Sequence, residues 1–235
     1  MNREDNEILS RTGPGTPMGE LMRRYWLPAL LSRELERDGA PVQVRLLGED
    51  LVAFRDSAGR VGLFDRHCRH RGASLHWARN EDGGLRCWYH GWKYDVNGNC
   101  LELPNDANGE RLKERVKQKA YPCIERGGVV FTYMGPKEQQ PAFPELEWAN
   151  LPEGHVYVSK RLQDCHWLQG LEGDIDSSHI GFLHGAHTMS KATEYDMSAQ
   201  TKYVGGDVAP KFEIVHKPNG LIQGAKRDGG DGTNY

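Results

Sequence analysis

Two short stretches hold the residues best suited to chemistry: Cys68-Arg69-His70-Arg71-Gly72 and Cys87-Trp88-Tyr89-His90-Gly91-Trp92, with sixteen residues between His70 and Cys87. Each offers one thiol and one imidazole. A zinc site usually takes its two Cys from one element and its two His from another, around a single ion. One of each per loop instead lets both thiolates hold one iron and both imidazoles a second, as a two-iron, two-sulfur cluster with chemically different ends requires. Neutral imidazoles in place of two thiolates leave the cluster less negative and raise its potential to about −150 to +300 mV. Such a centre suits one-electron transfer from a lower-potential reductase. A structural zinc knuckle is the rival reading of the same four residues. Gly72 and Gly91 follow the His closely, where a tight loop brings backbone N–H groups near the sulfides and a side chain could clash.

A second set lies downstream. From Cys165 to His184 the apolar residues Trp167, Leu168, Leu171, Ile175, Phe182 and Leu183 predict an amphipathic helix. On it Glu172, Asp176 and His179 share a face. His184 is five residues further, about 140° out of phase, and converges only if the helix loosens or ends near Gly181. Two His above a carboxylate suggest the imidazoles of a 2-His-1-carboxylate ferrous site, which keeps open positions for dioxygen. Either His alone reads equally well as a core or surface residue; the cluster motif in the same chain gives the pair its weight. Asp176, one turn before His179, is placed to accept a hydrogen bond from that ligand's outer nitrogen.

Together with Arg24-Tyr25-Trp26-Leu27-Pro28 and the run from Leu171 to His179, these motifs resemble the α subunits of Rieske non-haem iron ring-hydroxylating oxygenases. The phthalate 4,5-dioxygenase branch, which also contains aryl-ether O-demethylases, is the nearest in pattern. The resemblance implies an α+β chain: a small all-β antiparallel Rieske domain, then the start of a helix-grip catalytic domain. It implies a Rieske 2Fe-2S cluster on Cys68, His70, Cys87 and His90, and mononuclear non-haem Fe(II) on His179 and His184. Asp176 matches the aspartate that bridges a cluster His of one subunit to the iron site of the next, so a trimer-based homo-oligomer is expected. Implied partners are an NAD(P)H-dependent reductase, dioxygen and an aromatic substrate. The family's carboxylate ligand comes far downstream. Glu194, Asp196, Asp207, Glu213, Asp228 and Asp231 read as surface charge, so that ligand is expected beyond residue 235, the chain as an N-terminal fragment, and its turnover as weak. A Rieske ferredoxin-like electron carrier is the alternative, which the His179–His184 pair argues against.

Several function classes drop out on composition. With 235 residues, 37% hydrophobic and 27% charged, the chain reads as an ordinary globular protein. No run approaches the ~20 apolar residues of a membrane span. A net charge of −3 and a pI near 6.4 give no footprint for nucleic acid or anionic membrane. The charged start, Met1-Asn2-Arg3-Glu4-Asp5, offers no export signal, so a cytoplasmic protein is expected, with Cys100, Cys123 and Cys165 as reduced thiols.

The elements that must position these residues follow from punctuation. Residues 1–40 are expected as a partly helical arm, with Met18, Leu21, Met22, Tyr25 and Trp26 at helical spacing before Pro28. Residues 41–135 are expected as the all-β cluster domain: strands at 42–47, 51–55 and 61–64, an Asn97-Gly98 hairpin, and strands 116–121 and 129–133 flanking Gly127-Gly128, with both cluster loops at hairpin tips. Proline-rich 136–150 reads as a linker. The catalytic portion is expected at 151–235, with a strand at 156–162 and a hairpin around Pro218-Asn219-Gly220.

Overall fold

The computed structural model describes residues 1–107, 109–152, 154–184, 207–218 and 220–229, and the chain divides into two compact units, Met1–Gln163 and Asp164–Tyr235. The first opens with α1 (Arg3–Ser10), capped by Asn2, and α2 (Pro17–Met22), capped by Thr16 with Pro17 in its first turn. The helix expected to reach Trp26 stops at Met22. Pro28 disfavours helix at Leu27, and Trp26 instead begins β1 (Trp26–Leu31), whose register shifts between Pro28 and Leu30 where the missing N–H would break the ladder.

The expected meander follows as β2 (Val42–Leu46), β3 (Glu49–Arg55) and β4 (Val61–Asp65). Four short strands come next: β5 (Arg79–Glu81), β6 (Gly84–Arg86), β7 (Lys93–Tyr94) and β8 (Cys100–Glu102), forming one antiparallel sheet in that order. After the single-turn α3 (Gly109–Leu112) come β9 (Ala120–Tyr121), β10 (Cys123–Arg126) and β11 (Val129–Tyr133). The strand expected at 116–121 is thus short, and it pairs with β4. The partner of β11 across Gly127-Gly128 is β10, and not the strand expected at 116–121. Pro122 separates β9 from β10, and its carbonyl accepts the Tyr133 N–H and the Thr132 hydroxyl.

Strands β3 and β4 are buried on both faces, and their alternation feeds two cores. Leu51, Ala53 and Leu63 pack with Leu30, Val44 and Val130 on one side. Val52, Phe54 and Phe64 pack with Leu75, Leu85, Tyr94, Cys68 and Cys87 on the other. The cluster motif's thiols are therefore part of a hydrophobic core. Beyond β11, Phe143, Leu146 and Val158 cover Leu31, Val129 and Phe131, and residues 156–162 form no strand.

In the second unit α4 (Trp167–Ile175) is followed by a π-type turn (Ile180–His184) and a hairpin of β12 (Lys211–Lys217) and β13 (Gly220–Lys226), paired as expected. Gln223 Nε2 donates to Ile175 O and Arg227 Nη2 to Ser177 O, so this hairpin holds the segment that follows α4. Glu194, Asp196 and Asp231 lie outside the described residues. The fold is α+β, antiparallel sheets with few helices.

Candidate metal centres

The two loops of the first motif share one hydrogen-bond frame. Cys68 N–H donates to Ala73 O (2.9 Å) and Gly72 N–H to Cys68 O (2.9 Å); Cys87 N–H donates to Trp92 O (2.8 Å) and Gly91 N–H to Cys87 O (3.0 Å). Closing this turn puts Gly72 at φ +68° and Gly91 at φ +76°. A Cβ on Gly72 would meet nothing within 4 Å, so conformation and not crowding selects it; at Gly91 a Cβ would also meet Pro104 Cγ at 2.7 Å. Only the second loop is a hairpin tip, between β6 and β7. The first crosses from β4 in one sheet to β5 in another, closed by the His67–Ser74 bridge.

The donors stand in two pairs. Cys68 and Cys87 are 3% exposed and in contact: the contact with Cys68 brings Cys87 down to about 6, while the same contact and burial drive Cys68 up. Tyr94 OH lies 3.3 Å from Cys68 Sγ, and burial pushes this phenol up, keeping its proton available to the sulfur. The rings of His70 and His90 lie 4.5 Å apart, edge to face. Desolvation, then the charges of His90 and Arg71, lower His70 and favour the neutral imidazole that a metal takes. His90 Nδ1 is buried with no hydrogen-bond partner, a polar atom that a bound metal would satisfy. A thiol pair beside an imidazole pair, with an orphaned nitrogen, fits a two-iron cluster.

Three supports were not legible in the motif. Trp92 stacks on His70, with Nε1 donating to Asn105 Oδ1 (2.7 Å). Arg86 donates to Gly91 O (3.1 Å) while ion-paired to Glu81 and Glu102. Gln118, wholly buried, donates through Nε2 to Asp65 O and His67 O (both 3.0 Å) and accepts Arg69 N–H at Oε1 (3.1 Å). A lone glutamine about fifty residues away carries no pattern that would betray this; only Trp92 sat inside a recognisable run.

In the second set the expected continuous helix is broken. α4 ends at Ile175 and Asp176 caps it in an extended conformation, φ −82° and ψ 100°. Glu172 therefore does not share a face with His179, and its carboxylate takes a hydrogen bond from Gln169. The π-type turn at Ile180–His184, a loosening of the helix around Gly181 as expected, is what brings His184 round: its ring lies 5.3 Å from that of His179. Ser178 N–H (2.8 Å) and Oγ–H (2.6 Å) both donate to Asp176 Oδ1, which lowers the Asp176 pKa, the hydroxyl contributing most. Oδ2 is left facing His179 Nδ1 at 3.6 Å, outside hydrogen-bond range, and that nitrogen is buried without a partner. Asp207, one of the downstream carboxylates, closes its own loop by accepting from Ala209 and Asp228 N–H groups.

Residues 25–122 match the family model of the Rieske [2Fe-2S] domain, and residues 132–228 that described as LigXa C-terminal domain like. The chain is 47% identical over 225 residues to the 3-chlorobenzoate-3,4-dioxygenase oxygenase subunit of Comamonas testosteroni, covering 95% of this chain and 51% of that protein. It is 48% identical over 229 residues to the phthalate 4,5-dioxygenase oxygenase subunit of Pseudomonas putida, with 95% and 52% covered. A crystal structure of dicamba monooxygenase bound to 3,6-dichlorosalicylic acid shares the fold, with a TM-score of 0.64 at 22% identity over 87% of this chain and 55% of that one. The chain spans about half the length of the curated relatives it matches. No helix among the described residues is long and apolar enough to cross a membrane. Two paired-donor loops on a Rieske-domain match, and near-half identity to oxygenase subunits along almost the whole chain, agree: the chain carries a Rieske [2Fe-2S] domain followed by a LigXa C-terminal-like domain and is homologous to dioxygenase oxygenase subunits.

Proposed function

We propose that this chain is part of the oxygenase component of a cytoplasmic aromatic ring-hydroxylating dioxygenase acting on an aromatic carboxylate. Electrons would come from an NAD(P)H-dependent reductase. Cys68 and Cys87 would hold one iron of the cluster and His70 and His90 the other, with residues 41–135 as the cluster domain and 151–235 as part of the catalytic domain. His179 and His184 would hold the mononuclear iron, which when bound supplies the site where dioxygen is activated. The observation that carries this beyond an electron carrier is the second His pair, its rings brought to 5.3 Å by the π-type turn at Ile180–His184. The substrate class follows the aromatic carboxylates named in the two relatives.

The chain's own residues then divide the work. Tyr94 offers a proton to the Cys68 sulfur and so favours the more negative, reduced cluster. Ser178 holds Asp176 Oδ1, leaving Oδ2 to accept a hydrogen bond from His179 Nδ1–H after a small rotation, which would aim the opposite nitrogen at the iron. Asp176 would also accept a hydrogen bond from His90 of the partner subunit, carrying electrons between chains of a trimer-based oligomer.

The test uses the chain extended to its relatives' length, with reductase, NAD(P)H, labelled dioxygen and a panel of aromatic carboxylates. Both label atoms in a dihydroxylated ring are expected. Formaldehyde with a phenol would assign the O-demethylase, and cluster reduction without any incorporation would leave only the electron carrier.

A further inference from the structure

We infer that Gln118 is the positioning residue for the His70 half of the cluster, a role resting on the cluster reading above. It lies 48 residues beyond His70, on the approach to β9, and its side chain is 1% exposed. Its amide makes three hydrogen bonds, and all three go to the backbone around one loop: Nε2 to Asp65 O and His67 O, and Oε1 from Arg69 N–H. These groups flank Cys68 and precede His70, so one side chain fixes the path of the chain through both ligand candidates.

The amide is itself anchored. Gln118 N–H donates to Gly98 O (2.8 Å), Asp65 N–H donates to Lys119 O (2.9 Å), and a Cβ on Gly98 would lie 2.2 Å from Gln118 O. Gly98, at φ +79°, lets the hairpin turn press against Gln118, backing the amide with a rigid element. The need for such a brace follows from topology: the second loop is closed by the paired strands β6 and β7, whereas the first spans two sheets and is closed by the isolated His67–Ser74 bridge. Gln118 also occupies the Arg69 N–H, so this donor is not free for the cluster. Supports of this kind change metal affinity by about 10–100-fold when removed.

The test compares the whole chain with its Gln118→Met, Gln118→Asn and Thr132→Val variants. Met fills the same volume without hydrogen bonds, and Asn keeps the amide but withdraws it by one methylene. Thr132, also fully buried, donates to Pro122 O in the β1-β11-β10 sheet and serves as a control for general loss of stability. Cluster loss to a chelator is followed by visible absorbance well below each variant's unfolding temperature, and the reduced protein is examined by electron paramagnetic resonance. Gln118→Met is expected to lose its cluster about tenfold faster and to show shifted g-values, Gln118→Asn to fall between it and the parent, and Thr132→Val to match the parent in both. Should Gln118→Met fail to fold, the Asn variant carries the comparison. Parental loss rate and spectrum in the Gln118 variants, or equally fast loss from Thr132→Val, would overturn the role. A parent that assembles no cluster would overturn the reading beneath it, and this inference with it.

Discussion

The indole of Trp92 lies flat on the imidazole of His70, ring centroids 4.4 Å apart and planes 11° from parallel, so the second cluster loop covers a donor of the first. Asn105 fixes the indole from the other side through Trp92 Nε1. Replacing Trp92 by Leu removes an aromatic pair worth about 1 kcal/mol beyond its area. Cluster loss to a chelator should then be about fivefold faster, with the apo-protein's melting temperature changed little.

Tyr94 gives a sharper electronic test. A hydroxyl donating to the Cys68 sulfur stabilises the reduced cluster more than the oxidised one, because the reduced form carries more negative charge. Tyr94→Phe should lower the midpoint potential by about 40 mV, taking about 1 kcal/mol of differential stabilisation and 59 mV per tenfold for one electron. A redox titration monitored by electron paramagnetic resonance reads this directly, and an unchanged potential would remove Tyr94 from the cluster's electronics.

The scaffold has its own pH signature. Both terminal guanidinium nitrogens of Arg55 donate to the Glu125 carboxylate at 2.7 Å, joining β3 to β10, and this pairing lowers the Glu125 pKa. A carboxylate with a depressed folded pKa contributes stability above its unfolded value and loses it as pH falls through the folded one. Glu125→Gln should therefore cost about 1 kcal/mol at pH 7, allowing for partial solvent screening, and nothing in acid. Denaturation midpoints of parent and variant should converge as pH drops below about 4.

What the sequence disclosed was chiefly what local spacing encodes. The paired Cys and His, the meander at β2 to β4 and the β12–β13 hairpin were legible because turn residues and alternation act over a few positions. Pairing at a distance was not. Whether β9 met β11 or β4 depended on Pro122 and on cores that only exist once the sheets assemble, and Gln118 reaches its loop only through that assembly. The apolar run 167–183 read as one helix because periodicity says nothing about where a side chain such as Ser178 outcompetes the next helical turn for Asp176. His184 comes beside His179 through the π-type turn at Ile180–His184, the loosening that Gly181 made legible.

The central claim is that one chain carries both a Rieske cluster and a separate iron site. Iron, zinc and acid-labile sulfide should be counted on the anaerobically reconstituted chain and on its His179→Ala and His184→Ala variants. The expected result is about two sulfides and about three irons per chain, one iron leaving on brief chelation and absent from both variants, with sulfide unchanged. Zinc without sulfide, or variants that keep every iron of the parent, would contradict it.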